Sequence, residues 1–349
     1  MPSLRQWTVG LLCAFALAAG AVTSWSLGRP APLPEHPPSP SLVRTVAPSE
    51  PVPHRYVPPH APPMDPGGRA FAEGQIMTGA TAHRLILFTF DDGPNRHTTP
   101  ELLDVLDSYG VRAVFFFTAE RILGETRRQE YQQEIAREIV RRGHLVANHT
   151  VHHVSLLNLN RAEIRLELTE AEHIFERVVG ERPWLFRPPG GNHTPRIDAV
   201  IAERGYTTML WNLGTGDTQV RTPEEVFSTW RKVQARRERE FGERGGIILL
   251  HDIHEWAVQA FSMIMDELLA RNCRLLADGE ELYDVVDDPA PFFAAASSDP
   301  SSEAPPGSFE PEVQEARQAI LREETEQRCS AIAEMDRDAL SPVDTEVPL

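Results

Sequence analysis

The sequence predicts an α/β fold, a distorted (β/α)7-type barrel with ordered chemistry at one end and poorly structured flanks. Short apolar runs alternate with segments of helical period between residues 83 and 288, which is the signature of strands joined by crossover helices. The polar residues with catalytic potential also follow successive strand ends, where active sites of such barrels gather. A doubly wound open sheet is the rival architecture.

The elements run in order. The first strand is Leu85 to Phe90, followed by a helix from Pro100 to Tyr109, a strand from Val111 to Phe117 and a helix from Gln129 to Arg142. Next come the strand Leu145 to Asn148, the helix Arg161 to Val179, the strand Trp184 to Arg187 and the helix Pro195 to Arg204. The strand Thr207 to Trp211, the helix Pro223 to Arg239, the strand Ile247 to Leu250, the helix Trp256 to Arg271 and a last strand, Cys273 to Ala277, complete the repeat.

The flanks differ in composition. Residues 1–27 carry Arg5 and an apolar stretch from Trp7 to Val22 ending in small residues, the pattern of a signal peptide or, left uncleaved, a membrane anchor. Residues 28–80 form a proline-rich linker, stiff and extended. Residues 81–288 are expected to form the folded domain, and 289–349 an acidic low-complexity tail, either disordered or carrying one helix, from about Glu312 to Leu340, against that domain. Export to the periplasm, cell envelope or exterior is expected. Cys273 reads as strand and Cys329 as polar tail, so no disulfide between them is expected.

The 349 residues carry a net charge of −17, and the arginines of 231–244 alternate with glutamates as on a solvated face, which argues against a nucleic-acid partner. Contact with a membrane is expected only through the N-terminal segment. Lys232 is the one lysine, so a lysine nucleophile is excluded.

Asp91 and Asp92 stand where an apolar strand meets the turn residues Gly93 and Pro94. Two adjacent carboxylates stay ionised only beside a cation, a metal or a basic group. His149 and His153 are four apart, a spacing that places both on one side of a helical turn. With one carboxylate they make a two-histidine site with open positions, suited to one divalent metal: zinc first, with cobalt or nickel as alternatives and non-haem iron sharing the ligand set.

Thr89 to Pro94, His149-Thr150-x-x-His153, Arg187-Pro188-Pro189-Gly190-Gly191 and Leu249-Leu250-His251-Asp252, in this order, resemble the polysaccharide deacetylase family, also called carbohydrate esterase family 4 or the NodB homology domain. The resemblance covers the barrel and neither flank. It implies a metal-dependent hydrolase that removes N-acetyl groups from an N-acetylglucosamine-containing polysaccharide of the peptidoglycan or chitin kind. Asp92, His149 and His153 would be the metal ligands. Asp91 would be the base toward metal-bound water, Arg187 its ion-pair partner, and His251 the acid that protonates the leaving amine, oriented by Asp217. The backbone N–H of Gly190 would meet the tetrahedral oxygen.

Glycine at 190 and threonine at 218 depart from the family, which often has an aromatic residue at the first and tryptophan at the second. Trp211 and Leu249 are candidates for an apolar wall around the acetyl methyl. His254 is either a second proton donor or, the preferred reading, a structural residue at a helix entry. His97 and His193 are assigned to the rim. Rival functions are an O-acetyl esterase acting on xylan-type polymers, a non-catalytic carbohydrate-binding domain, and an iron oxygenase for which Asp91 and His251 would have no purpose.

Overall fold

The apolar runs fold into short parallel strands and the intervening segments into helices. The structure, a computed structural model, describes residues 76–292, 309 and 311–339. The expected signal or anchor, nearly all of the proline-rich linker and the remaining tail residues lie outside them. In chain order the elements are β1 (Ile76–Met77), β2 (Leu85–Asp91), α1 (Thr98–Tyr109), β3 (Val114–Phe117), α2 (Arg127–Arg141), β4 (Leu145–Asn148), α3 (Arg161–Val179) and β5 (Leu185–Phe186). They continue as α4 (Pro195–Glu203), β6 (Thr207–Met209), β7 (Leu213–Gly214), α5 (Pro223–Phe241), β8 (Gly246–His251), α6 (Glu255–Ala277), β9 (Asp284–Val285) and α7 (Pro311–Ala339).

The sheet runs β1-β6-β5-β4-β3-β2-β8-β7, with β9 added beside β2. All of its ladders are parallel. No ladder among the described residues joins β1 to β7, so the distorted barrel is curled and open.

Alternation along β2 fixes the position of the site. Successive side chains point to opposite faces of a strand. Ile86, Phe88 and Phe90 belong to the large cluster shared with Leu102, Leu106, Ile139 and Phe261 of the surrounding helices, whereas Leu85 and Leu87 belong to a smaller cluster with Val114, Phe116, Ala147, Leu185 and Met209 inside the curl. Thr89 and Asp91 continue the inner face and emerge at its C-terminal end. Capping boxes start α2, through Thr126 and Gln129, and α3, through Asn160 and Glu163. Each satisfies two backbone donors and fixes where the preceding site loop stops.

Two expectations are corrected. Cys273 to Ala277 is the end of α6, not a strand. Nothing between Arg271 and Asp278 breaks a helix, and a short apolar run satisfies either period. The second correction concerns the cysteines, which are bonded: α7 lies beside α6, bringing the Cα atoms of Cys273 and Cys329 to 5.9 Å, within disulfide reach. Arg317 of α7 also donates to both carboxylate oxygens of Asp284 in β9, at 2.7 and 3.0 Å. Gln318 exchanges two hydrogen bonds with the backbone of Leu282.

The disulfide staples α7 to α6, and Arg317 ties α7 to β9, which pairs with β2 at Leu85 and Ile86, the end remote from Asp91. The two cysteines are 56 apart in sequence. By the chain-entropy argument, opening a loop of that size lowers stability by about 4 kcal/mol. Cys329→Ser is therefore expected to lower the denaturation midpoint while leaving turnover at low temperature unchanged. A midpoint insensitive both to this substitution and to reductant would show that the bond contributes nothing.

Candidate metal centre and catalytic site

Asp91 closes β2, and its carboxylate is buried. Arg187, which follows β5, donates from Nη1 to Asp91 Oδ1 at 2.6 Å and to Thr89 Oγ1 at 2.9 Å. Its Nε and Nη2 donate to the carbonyls of Met209 and Leu210 at 2.9 and 3.2 Å. The guanidinium lies 4.0 Å over the Phe116 ring and 5.5 Å from that of Trp211. Burial pushes its pKa down and Asp91 pulls it back up. The pair is thus desolvated, with every bond satisfied by neutral dipoles or by its counter-ion.

His149 and His153 approach Asp92 from the loop after β4. Asp92 Oδ1 lies 3.5 Å from His149 Nε2 and 3.2 Å from His153 Nε2. His149 Nε2 is also 3.7 Å from Asp91 Oδ2. His149 Nδ1 is 2.7 Å from the Arg187 carbonyl, which can only accept, so Nδ1 carries the proton. Burial holds the His149 pKa below its ordinary value despite both aspartates, so the ring is neutral and Nε2 presents a lone pair. Asp92 Oδ1 is buried and has no hydrogen-bond partner. A bare nitrogen facing a bare carboxylate oxygen has no donor between them. A cation resolves the arrangement, and the ligand atoms of Asp92, His149 and His153 all lie within 4.8 Å of one another. These residues fit a metal ion.

The expected helical turn between the histidines is absent. Thr150 and His153 adopt left-handed φ values of 72° and 53°, and Asp92 has a φ of 72°; these are the non-glycine residues of positive φ among those described. Such backbone costs roughly 1–3 kcal/mol per residue and gathers at functional sites. Here it turns both imidazoles toward Asp92. Asn148 Oδ1 accepts from the Thr150 N–H at 2.8 Å, and Thr150 Oγ1 accepts from the His153 N–H at 3.0 Å, which holds the loop in that shape. His152 faces away and lies 2.8 Å from Glu167.

The opposite flank is built by β8. His251 Nδ1 lies 3.0 and 3.2 Å from the Asp217 carboxylate oxygens, and its backbone N–H donates to Asp217 Oδ2 at 2.7 Å. Burial alone would lower the imidazole's pKa, but the hydrogen bond and charge of Asp217, joined by Asp91 and Asp92, raise it to about 9. Trp256, which sequence reasoning missed, donates its indole N–H to the Asp217 carbonyl at 2.7 Å. Asp252, also missed, is fully buried, accepts from Thr99 Oγ1 and lies under Gly93, where a Cβ would meet its carboxylate at 2.2 Å. Only glycine allows that approach, so the turn after Asp92 rests directly on β8.

The remaining expected residues lie on the rim. Trp211 is half-buried against Arg187, and a Cβ on Gly191 would meet its ring at 2.8 Å. Leu249 lies beside Thr89 in register, and Gly190 is exposed in the turn after β5 with a φ of 66°. Neither enters the hydrogen-bond network of the central side chains. His193 lies 3.2 Å from Asp198, and His97 accepts from Arg96 at 2.7 Å.

Comparison with known proteins places the chain in a family. The family model described as polysaccharide deacetylase matches residues 78–209. A peptidoglycan-N-acetylglucosamine deacetylase of Bacillus cereus is 30% identical over 202 residues, which cover 57% of this chain and 88% of that protein. The chain belongs to the polysaccharide deacetylase family. The relatives it matches are named deacetylases, which are hydrolases of carbon–nitrogen bonds, and the chain is an enzyme of that class. A chitin deacetylase of Arthroderma benhamiae is 31% identical over 214 residues, 60% of this chain and about half, 55%, of its own length. The solved chitin deacetylase of Colletotrichum lindemuthianum superposes with a TM-score of 0.51 at 28% identity, covering 57% of this chain and 87% of that one. Like these deacetylases, the chain has a curled half-barrel of parallel strands.

Proposed function

We propose that the chain removes N-acetyl groups from an N-acetylglucosamine-containing polysaccharide of the peptidoglycan or chitin kind, outside the cytoplasm. The observation that carries this reading is the convergence of Asp92, His149 and His153, with the Asp91–Arg187 pair on one side and the His251–Asp217 pair on the other. Asp92, His149 and His153 would hold one divalent ion, zinc first and cobalt or nickel as alternatives, whose charge acidifies water and polarises a carbonyl.

The chain's own groups supply the proton transfers. Asp91, paired with Arg187 and held in place by it, takes a proton from the attacking water. His251 turns Nδ1 toward Asp217, which leaves Nε2 to face the site and to give its proton to the departing nitrogen. The amide needs that proton, because an amine anion is a very poor leaving group. A histidine held protonated up to about pH 9 therefore favours the N-acetyl reading over the O-acetyl esterase, whose alkoxide leaves more readily. Gly190's N–H and the Trp211 and Leu249 side chains are assigned to the acetyl pocket.

The test is acetate release by the full chain from a panel of N-acetylated and O-acetylated glycans, before and after chelation. The N-acetyl substrates should be turned over, chelation should stop them and metal should restore them. Activity should fall on the alkaline side as His251 loses its proton, at or somewhat below about pH 9, since a nearby cation works against that proton. Chelator-insensitive turnover, or release from O-acetyl substrates alone, would overturn the reading.

A further inference from the structure

His254 ends the short turn that leads from His251 into α6, and its ring is held without being used. Its imidazole stacks on Trp256 with centroids 4.6 Å apart and planes 12° from parallel. Arg221 lies 4.9 Å from the centroid of the same indole and is itself steered by hydrogen bonds to the carbonyls of Thr218 and Val220. Trp256 is anchored by its bond to the Asp217 carbonyl, so the stack is registered on the residue that orients His251. Neither ring nitrogen of His254 has a hydrogen-bond partner among the described residues. Burial keeps its pKa below the ordinary value, so the ring is neutral, with one donor and one acceptor.

A half-buried imidazole locked in place with both nitrogens free is preorganised for a ligand. The centroids of His254 and His251 are 6.2 Å apart, too far for both to serve one leaving atom and close to the span of a sugar ring. A sugar hydroxyl, at once donor and acceptor, matches a neutral imidazole. We infer that His254 is a specificity-determining residue that hydrogen-bonds a hydroxyl of the sugar unit beside the one being deacetylated. The inference rests on the proposed function and adds to it a preference for oligomers over single sugars.

The test compares metal-loaded wild type and His254→Phe on the monomer and the tetramer of N-acetylglucosamine. Phenylalanine keeps a flat ring on Trp256 and removes only the nitrogens. Loss of one neutral hydrogen bond should raise KM for the tetramer about tenfold, leave kcat within about twofold, and leave KM for the monomer and the alkaline limb of the pH profile in place. His254→Asn, which restores a donor and an acceptor, should recover part of the affinity. An unchanged KM for the tetramer overturns the assignment, as does a fall in kcat with a displaced alkaline limb, which would make His254 a proton donor. Tetramer affinity measured in an Asp91→Asn background separates the two layers. A weaker tetramer complex in the His254→Phe double variant supports the contact even if no acetate is released, and an unaltered one overturns it even if acetate is.

Discussion

Asp91→Asn should leave the metal centre loaded and lower turnover by roughly 10²–10⁴-fold, the usual contribution of a positioned proton acceptor. The side chains have the same shape, and the amide oxygen still accepts from Arg187. The change therefore removes the ability to take a proton and little else from the geometry. Metal content should persist because the cluster of converging ligand atoms consists of Asp92, His149 and His153 and excludes Asp91. Assays belong well below the melting temperature, since Arg187 would keep its charge in a buried site with no counter-ion. The measurement is kcat alongside metal per chain. Retention of more than about a tenth of wild-type turnover would take the base assignment away from Asp91, and parallel loss of metal would make Asp91 a ligand.

Much of this site was legible because its chemistry follows strand ends, and strand ends are marked in the sequence by apolar runs giving way to polar pairs. Asp91 and Asp92 leave β2, His149 leaves β4, Arg187 leaves β5 and His251 closes β8. The alternation of inner and outer residues along β2 was implicit in the run from Leu85 to Asp91. What could not be read are features with no local period. β1, β7 and β9 are two residues long, too short for a strand pattern. The left-handed turn through Thr150 and His153 contradicts local propensity, since a β-branched residue at positive φ is unfavourable. Contacts with Asn148 and Glu167, and the bond from the His153 N–H to Thr150 Oγ1, hold it in place.

The disulfide was hidden from the sequence for a related reason. Cys273 was assigned to the wrong element, and the docking of α7 depends on the pairs Arg317–Asp284 and Gln318–Leu282, which join segments more than 30 residues apart. Trp256 was equally hidden. Its role depends on a bond to the Asp217 carbonyl across 39 residues. It also recasts the threonine at 218: an aromatic ring stands against Asp217 here, supplied by α6 and not by the residue that follows the aspartate.

Arg187→Met should destabilise the fold by about 3–5 kcal/mol, because removing one member of a buried ion pair leaves the other charged and without its donor. Arg187 is fully buried, and its loss would free Asp91 Oδ1, Thr89 Oγ1 and the carbonyls of Met209 and Leu210 at once. Turnover should fall with stability, since Asp91 would lose its counter-ion and its orientation in the same step. Arg187→Lys keeps a charge but cannot span four acceptors on two sides, so it should recover only part of either quantity. The decisive comparison is the double variant Arg187→Met with Asp91→Asn. An amide at 91 needs no counter-ion, so the two losses of stability should sum to well above the loss in the double variant, by at least about 1 kcal/mol. Strict additivity in denaturant unfolding would mean that the 2.6 Å contact carries no energy, and that Arg187 serves the packing between Phe116 and Trp211 and not the proton acceptor.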